Sequence, residues 1–133
     1  MKRNATIASL GAKGRILVVD DRVDNRRALR DTLEALGYDV LEAENGRVAV
    51  ELAQRERPNV IVMDVMMPEL DGLAATRLIR QSPNIANTPI ITVSAVDGAY
   101  EAACAGANGY LSKPLDIRRL IGLISSFVAR EAD

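Results

Sequence analysis

A chain of 133 residues, 48% hydrophobic and 26% charged, suits one soluble domain with one core. Its net charge of −1, from Lys+Arg 17 against Asp+Glu 18, leaves no electrostatic footprint for nucleic acid or an acidic membrane. One Cys and no His exclude a disulfide framework, a cysteine metal cluster, a His-based triad, a His-ligated zinc site and phosphorylation of a histidine within the chain.

Met1 to Gly14 is small, polar and Gly-containing and reads as a mobile N-terminal tail, residues 1–14. It lacks the long apolar stretch of a signal peptide, and no run in the chain approaches membrane-spanning length, so the default location is cytoplasmic. Arg15 to Val19 is an apolar strand that ends in acid at Asp20-Asp21. A helix follows over about Val23 to Leu36, with Leu29, Leu33 and Leu36 on one face and Gly37 as its stop. Tyr38 to Ala43 is a weaker strand whose mixed pattern suits a sheet edge. Asn45-Gly46 opens a second helix, with Val48 and Leu52 inward, and Pro58 closes it.

Val60 to Met63 runs straight into Asp64, with Pro68 close behind, and reads as a strand buried on both faces. Asp71 caps a third helix whose inner face takes Ala75, Leu78 and Ile79. Pro89 to Val93 is a further buried strand ending in Ser94-Ala95, and a short Ala-rich helix lies between Gly98 and Ala105. Asn108 to Ser112 is the last strand and ends in Lys113-Pro114. A final helix over about Leu115 to Val128 sets Ile117, Leu120, Ile124 and Phe127 on one side, leaving residues 129–133 as a C-terminal tail. Five strands alternating with five helices predict a parallel α/β sheet covered on both faces.

Four of those strands end in a polar group: Asp20-Asp21, Asp64, Ser94 and Lys113. One edge of a parallel sheet gathers all four, and that edge is where ligands bind in such folds. Three carboxylates without His or a Cys cluster point to a hard cation with oxygen ligands, of which Mg²⁺ suits best because it leaves room for phosphate oxygens. Lys113 can pair with Asp64 or with a phosphoryl oxygen, and Ser94 supplies a hydroxyl. Together they describe a phosphoryl-transfer site with Asp64 as nucleophile. Each element taken singly has a plainer reading. Asp20-Asp21 can be a helix-capping pair, Lys113 a solvated lysine, Ser94 a turn former and Tyr110 a half-buried edge aromatic. Cys104 reads as a small core residue, and Met63, Met66 and Met67 as packing. The Arg26-Arg27 and Arg118-Arg119 pairs read as solvated helix faces or a partner interface.

At this point the segments Ile16-Leu17-Val18-Val19-Asp20-Asp21, Val62-Met63-Asp64 through Asp71-Gly72, Ile91-Thr92-Val93-Ser94-Ala95 and Gly106 through Pro114 form a recognisable set. The chain resembles a receiver (response regulator) domain of two-component signalling over about Arg15 to Val128. The resemblance implies a flavodoxin-like (βα)5 fold, residues 15–128, with strand order 2-1-3-4-5. It implies that Asp64 accepts a phosphoryl group from a phosphohistidine on a sensor kinase or histidine phosphotransfer protein. Asp21, Asp64 and the backbone carbonyl of Met66 would bind Mg²⁺, Asp20 acting mainly through water. Ser94 and Tyr110 match the family's switch pair, and Lys113-Pro114 matches a lysine before a usually cis bond.

On phosphorylation, Ser94 would donate to the new phosphoryl group and Tyr110 would rotate into the space behind it. That would change the surface of the fourth helix, fifth strand and fifth helix, where a downstream protein binds. The segment between Ser94 and Gly106 is a few residues short for the family, which bears on that output surface. Two residues beyond Asp64 and Ser94 stand Met66 and Val96, both apolar, so slow self-dephosphorylation is expected. The reading is a stand-alone phosphoacceptor signalling protein, not an enzyme on other substrates, that is a monomer or dimerises on phosphorylation. It signals by partner binding or passes the phosphoryl group on in a relay. The rivals are a receiver-shaped scaffold, an aspartyl-phosphate hydrolase, for which Met66 replaces the usual second acid, and a receiver cut from a longer protein.

Overall fold

The computed structural model describes residues 13–132 of the chain. Strands β1 (Arg15–Val19), β2 (Asp39–Ala43), β3 (Val60–Asp64), β4 (Ile90–Ser94) and β5 (Gly109–Ser112) form one parallel sheet in the order β2-β1-β3-β4-β5. Helices α1 (Val23–Ala35), α2 (Gly46–Glu56), α3 (Gly72–Arg80), α4 (Ala99–Ala105) and α5 (Ile117–Ala132) connect them. This is the flavodoxin-like order. β2 lies at an edge, as its mixed pattern predicts, and β1, β3 and β4 lie inside.

Alternation along the central strands divides the core in two. Ile16, Val18, Val60, Val62, Ile91 and Val93 pack with Leu33 of α1 and Leu120, Ile124 and Phe127 of α5. Leu17, Val19, Ile61, Met63 and Ile90 pack on the other face with Ala49 and Ala53 of α2 and Ala75 and Ile79 of α3. Asp64 continues the row Val60, Val62, so period two aims its side chain toward the α1/α5 face. Ser94 shares its row with Ile90 and Thr92 and leaves from the α2/α3 face.

The helix ends follow their caps. Asn45 accepts from the Val48 N–H at 2.9 Å, and Asp71 accepts from the Ala74 N–H at 2.8 Å. Asp116 accepts from the Arg118 and Arg119 N–H groups, which is why α5 begins at Ile117 and not at Leu115. α5 then runs to Ala132, four residues past the expected Val128, so the predicted C-terminal tail is helical up to Ala132. Residues 1–12 of the predicted N-terminal tail, and Asp133, lie outside the described residues.

Several inward faces differ from expectation. In α3 the buried set is Gly72, Ala75, Thr76 and Ile79, an i, i+3, i+4, i+7 stripe counted from the helix start. Leu78 falls off that stripe and is exposed, whereas Thr76 is buried and satisfies its hydroxyl on the Gly72 carbonyl at 2.7 Å. In α2 the small Ala49 and Ala53 face the sheet directly, and Val48 and Leu52 pack at its margins. Leu36 follows the last turn of α1 and Ile117 opens the first turn of α5, and both are exposed. Cys104 is exposed and not in the core. Of the three clustered methionines, Met63 and Met67 are buried, and Met66 is 59% exposed.

One corner is held by a side chain that sequence reading passed over. Arg80, at the end of α3, donates to the carbonyls of Gly106 (2.8 Å), Ala86 (3.0 Å) and Thr88 (2.7 Å) and to Asn108 Oδ1 (2.6 Å). Asn108 Oδ1 also accepts from the Ile90 N–H at 2.9 Å. This fastens the end of α4 and the starts of β4 and β5 to α3.

Gly122 sits in the middle of α5 with no atom near the place a Cβ would occupy. A glycine there costs helix stability with no packing return. Gly122→Ala is expected to raise stability by about 0.5–1 kcal/mol. Denaturant unfolding checks this, and an unchanged midpoint would mean that the solvent face of α5 is not free.

Candidate phosphoryl-transfer site

The C-terminal edge of the sheet carries the predicted residues. Asp20 and Asp21 follow β1, Asp64 ends β3, and Lys113 follows β5. Asp20, Asp21 and Asp64 each bring a carboxylate oxygen to within 4.8 Å of the others. The Lys113 ammonium stands 3.4 Å from Asp64 Oδ1. Asp64 itself is 5% exposed. Its Oδ1 has no hydrogen-bond partner of good geometry, so the lysine contact is a charge pair without directional bonding.

That arrangement sets the acid's protonation. Burial, the largest cause, pushes the Asp64 carboxyl above the usual carboxylate range. The Lys113 charge opposes the rise, Asp20 adds to it, and a hydrogen bond from the Met66 N–H pulls it back in part. The acids therefore repel one another around a buried, incompletely satisfied oxygen. Three hard oxygen donors with excess negative charge fit a divalent cation such as Mg²⁺.

Close backbone packing supports the acid. Gly72 lies directly against the main chain of Asp64, where any Cβ would collide with the Asp64 carbonyl. The Gly72 N–H donates to the Val65 carbonyl at 3.0 Å, which folds the β3–α3 loop back over the strand end. Beside the acids a cleft of about 410 Å³ opens between α1 and the β5–α5 turn, with Val18, Val62 and Val93 as its floor and Asp64 and Lys113 at one end.

The hydrogen bonds of the Ser94 and Tyr110 side chains go to the β4–α4 loop and not to the acids. Ser94 is buried, and its Oγ accepts from the Val96 N–H at 3.2 Å. The Tyr110 hydroxyl donates to the Val96 carbonyl at 2.6 Å and accepts from the Gly98 N–H at 3.2 Å. Both side chains hold the β4–α4 loop, from opposite sides of Val96. Val96 is 54% exposed, and Met66 is exposed as well. The Lys113-Pro114 peptide bond is cis.

Sequence reading missed the support behind Asp20. Arg26, half of a pair taken for a solvated face, is only 12% exposed at its side chain and pairs with Glu42 at 2.8 Å. Its Nη1 donates to the Asp20 carbonyl at 2.9 Å.

A sequence model described as the response regulator receiver domain matches residues 16–125. Protein PilH of Pseudomonas aeruginosa is 38% identical over 118 residues, 86% of this chain and 98% of that protein. The polar-differentiation response regulator DivK of Brucella anthropi is 34% identical over 116 residues, 85% of this chain and 94% of that protein. Among solved structures, the receiver domain of sensor histidine kinase PA1611 from Pseudomonas aeruginosa, crystallised with magnesium coordinated in its active-site cleft, is 36% identical. It superposes with a TM-score of 0.80 over 87% of this chain and 98% of that one.

The raised Asp64 value has a sign that can be tested. A carboxyl that holds its proton more tightly when folded favours the fold below the ordinary carboxylate range, and this contribution is lost as pH rises through the raised value. In metal-free buffer, Asp64→Asn is expected to gain stability over the native chain across that window. The gain should level off above it at about 1–2 kcal/mol, or roughly 3–8 °C in Tm. Paired thermal melts from pH 4 upward with a chelator check this; a gap that shrinks with rising pH would contradict it.

Proposed function

Because the chain belongs to the response regulator receiver domain family, we propose that it is a phosphoacceptor signalling protein and that Asp64 is the acceptor. The observation that carries the reading is the buried Asp64 Oδ1, free of hydrogen bonds and flanked by Lys113 and two further carboxylates. Only the Lys113 charge contact has to be exchanged when such an oxygen attacks. In the proposed step an Asp64 oxygen bonds to phosphorus, the phosphorus–nitrogen bond of a partner's phosphohistidine breaks, and the imidazole leaves with its electron pair. The partner is a sensor kinase or a histidine phosphotransfer protein.

The roles of the neighbours follow from their chemistry. Asp20, Asp21, Asp64 and the Met66 carbonyl are the groups proposed to hold Mg²⁺, which neutralises charge on the phosphoryl oxygens when bound. Lys113 pairs with Asp64 before transfer and with a phosphoryl oxygen after it. Ser94 gives up the Val96 N–H and turns its hydroxyl to the phosphoryl group. Because Tyr110 is fastened to the same loop, that movement reaches the α4–β5–α5 face, the proposed docking surface for a downstream protein. The proposed setting is cytoplasmic, with the domain acting alone, by partner binding or by onward transfer in a relay.

Intact mass after incubation with acetyl phosphate and Mg²⁺ tests the acceptor. One added phosphoryl group is expected, absent from Asp64→Asn and from a chelated sample. No adduct with the small donor or with a phosphohistidine donor would sink the reading, and rapid phosphate release in place of an adduct would favour a hydrolase. Met66 and Val96, two residues beyond Asp64 and Ser94, are exposed apolar residues, and neither can orient an attacking water. Met66→Asn with Val96→Glu should speed decay of the phosphoprotein by about 100-fold, the low end of what a positioned polar group contributes. Decay at the native rate would remove both residues from the account.

A further inference from the structure

Asp20 is held at three points. Its N–H donates to the Ala43 carbonyl at 3.1 Å, its Oδ1 accepts from the Arg22 N–H at 2.9 Å, and its carbonyl accepts from Arg26 Nη1 at 2.9 Å. Asp21 is exposed and takes no side-chain hydrogen bond among the described residues. Yet its carboxylate lies within 4.8 Å of the other two. The peptide unit is planar, so whatever fixes the Asp20 carbonyl also fixes the plane that carries the Asp21 N and Cα. Arg26 is that fixture.

Arg26 is in turn held by a partner that has no place in the site. Its Nε pairs with Glu42 Oε1 at 2.8 Å, while Arg30 Nη1 takes Glu42 Oε2 at 2.9 Å. Burial pushes the Glu42 carboxyl up, but hydrogen bonds and charge from Arg26 and Arg30 outweigh it and hold the group below the usual carboxylate range. Glu42 is thus a charged clamp on β2, gripping two turns of α1. A guanidinium can grip a carboxylate and reach a carbonyl at once because its donors are fixed in a plane.

We infer that Arg26, locked by Glu42, is a positioning residue for the cation site, acting through the Asp20–Asp21 peptide. The inference rests on the reading of Asp20, Asp21 and Asp64 as cation ligands. Charge and geometry predict opposite outcomes when Arg26 is lost. On charge alone, removing a cation near the acids tightens Mg²⁺ binding. On geometry, freeing the peptide weakens it, and outer-shell partners of metal ligands are worth about 10- to 100-fold in affinity.

The test is Mg²⁺ titration of the full chain by calorimetry and by amide chemical shifts, with melting in chelator to confirm folding. The variants are Arg26→Met, Arg26→Lys, Glu42→Gln and the double Arg26→Met/Glu42→Gln. The double leaves net charge unchanged, so its loss of affinity is geometric. The expected result is Mg²⁺ binding weakened about tenfold in Arg26→Met and in the double, with Arg26→Lys recovering part of the loss. Tighter or unchanged binding in the folded double variant overturns the inference and leaves the cation site intact. Should the double fail to fold, Arg26→Lys and Glu42→Gln decide: native affinity in both overturns it. A native chain without saturable Mg²⁺ binding overturns the inference together with the reading beneath it.

Discussion

Three carboxylates and one ammonium leave a net negative charge on a sheet edge that water reaches only in part. Such a cluster does not form because its members attract one another. It forms because β1 and β3 are central, parallel and hydrogen-bonded in register, so that the residues leaving them emerge side by side. The apolar rows behind, Ile16 and Val18 against Val60 and Val62, oppose the local repulsion. Gly72 and the folded-back β3–α3 loop prevent Asp64 from relieving its burial by withdrawing. Anything that binds the acids in the folded state alone will therefore stabilise the whole domain.

The proposed phosphoryl transfer would draw on the same tension. An acceptor oxygen in open water is masked by solvent, and one tied into a full hydrogen-bond set is masked by protein. Asp64 Oδ1 is neither, which suits it to exchange one incomplete set of partners for a covalent bond. Ser94 on β4 and Tyr110 on β5, the proposed switch pair, both fasten their side chains to the β4–α4 loop.

The acids were legible in the sequence because two patterns coincide: short apolar runs set the strands, and each run ends in a group with chemistry. Sheet order came through the family resemblance, and the helix caps at Asn45 and Asp71 through local hydrogen-bonding logic that needs only three residues. The misreadings have a common cause. Leu78 was placed inward and Thr76 overlooked because the stripe of a nine-residue helix depends on where its first turn is seated, and that is set by Gly72 against Asp64. Arg26 was read as surface charge and Arg80 passed over because a long side chain shows its length and sign in sequence but not its partner. Glu42 is 16 residues from Arg26, and the acceptors of Arg80 reach to Asn108.

Arg80 differs from Arg26 in one respect that matters when conditions change. Its acceptors are three main-chain carbonyls and an amide oxygen, none of which titrates in the range a cell meets. Desolvation lowers the pKa of its guanidinium without taking it out of the charged state. The α3–α4 corner is therefore indifferent to acidification and, being made of close polar contacts instead of a charge pair, little affected by salt. The Glu42 clamp on α1 depends on a carboxylate and is lost when that carboxylate protonates. As pH falls below the usual carboxylate range, the α3–α4 corner keeps its fastening after the Glu42 clamp has let go.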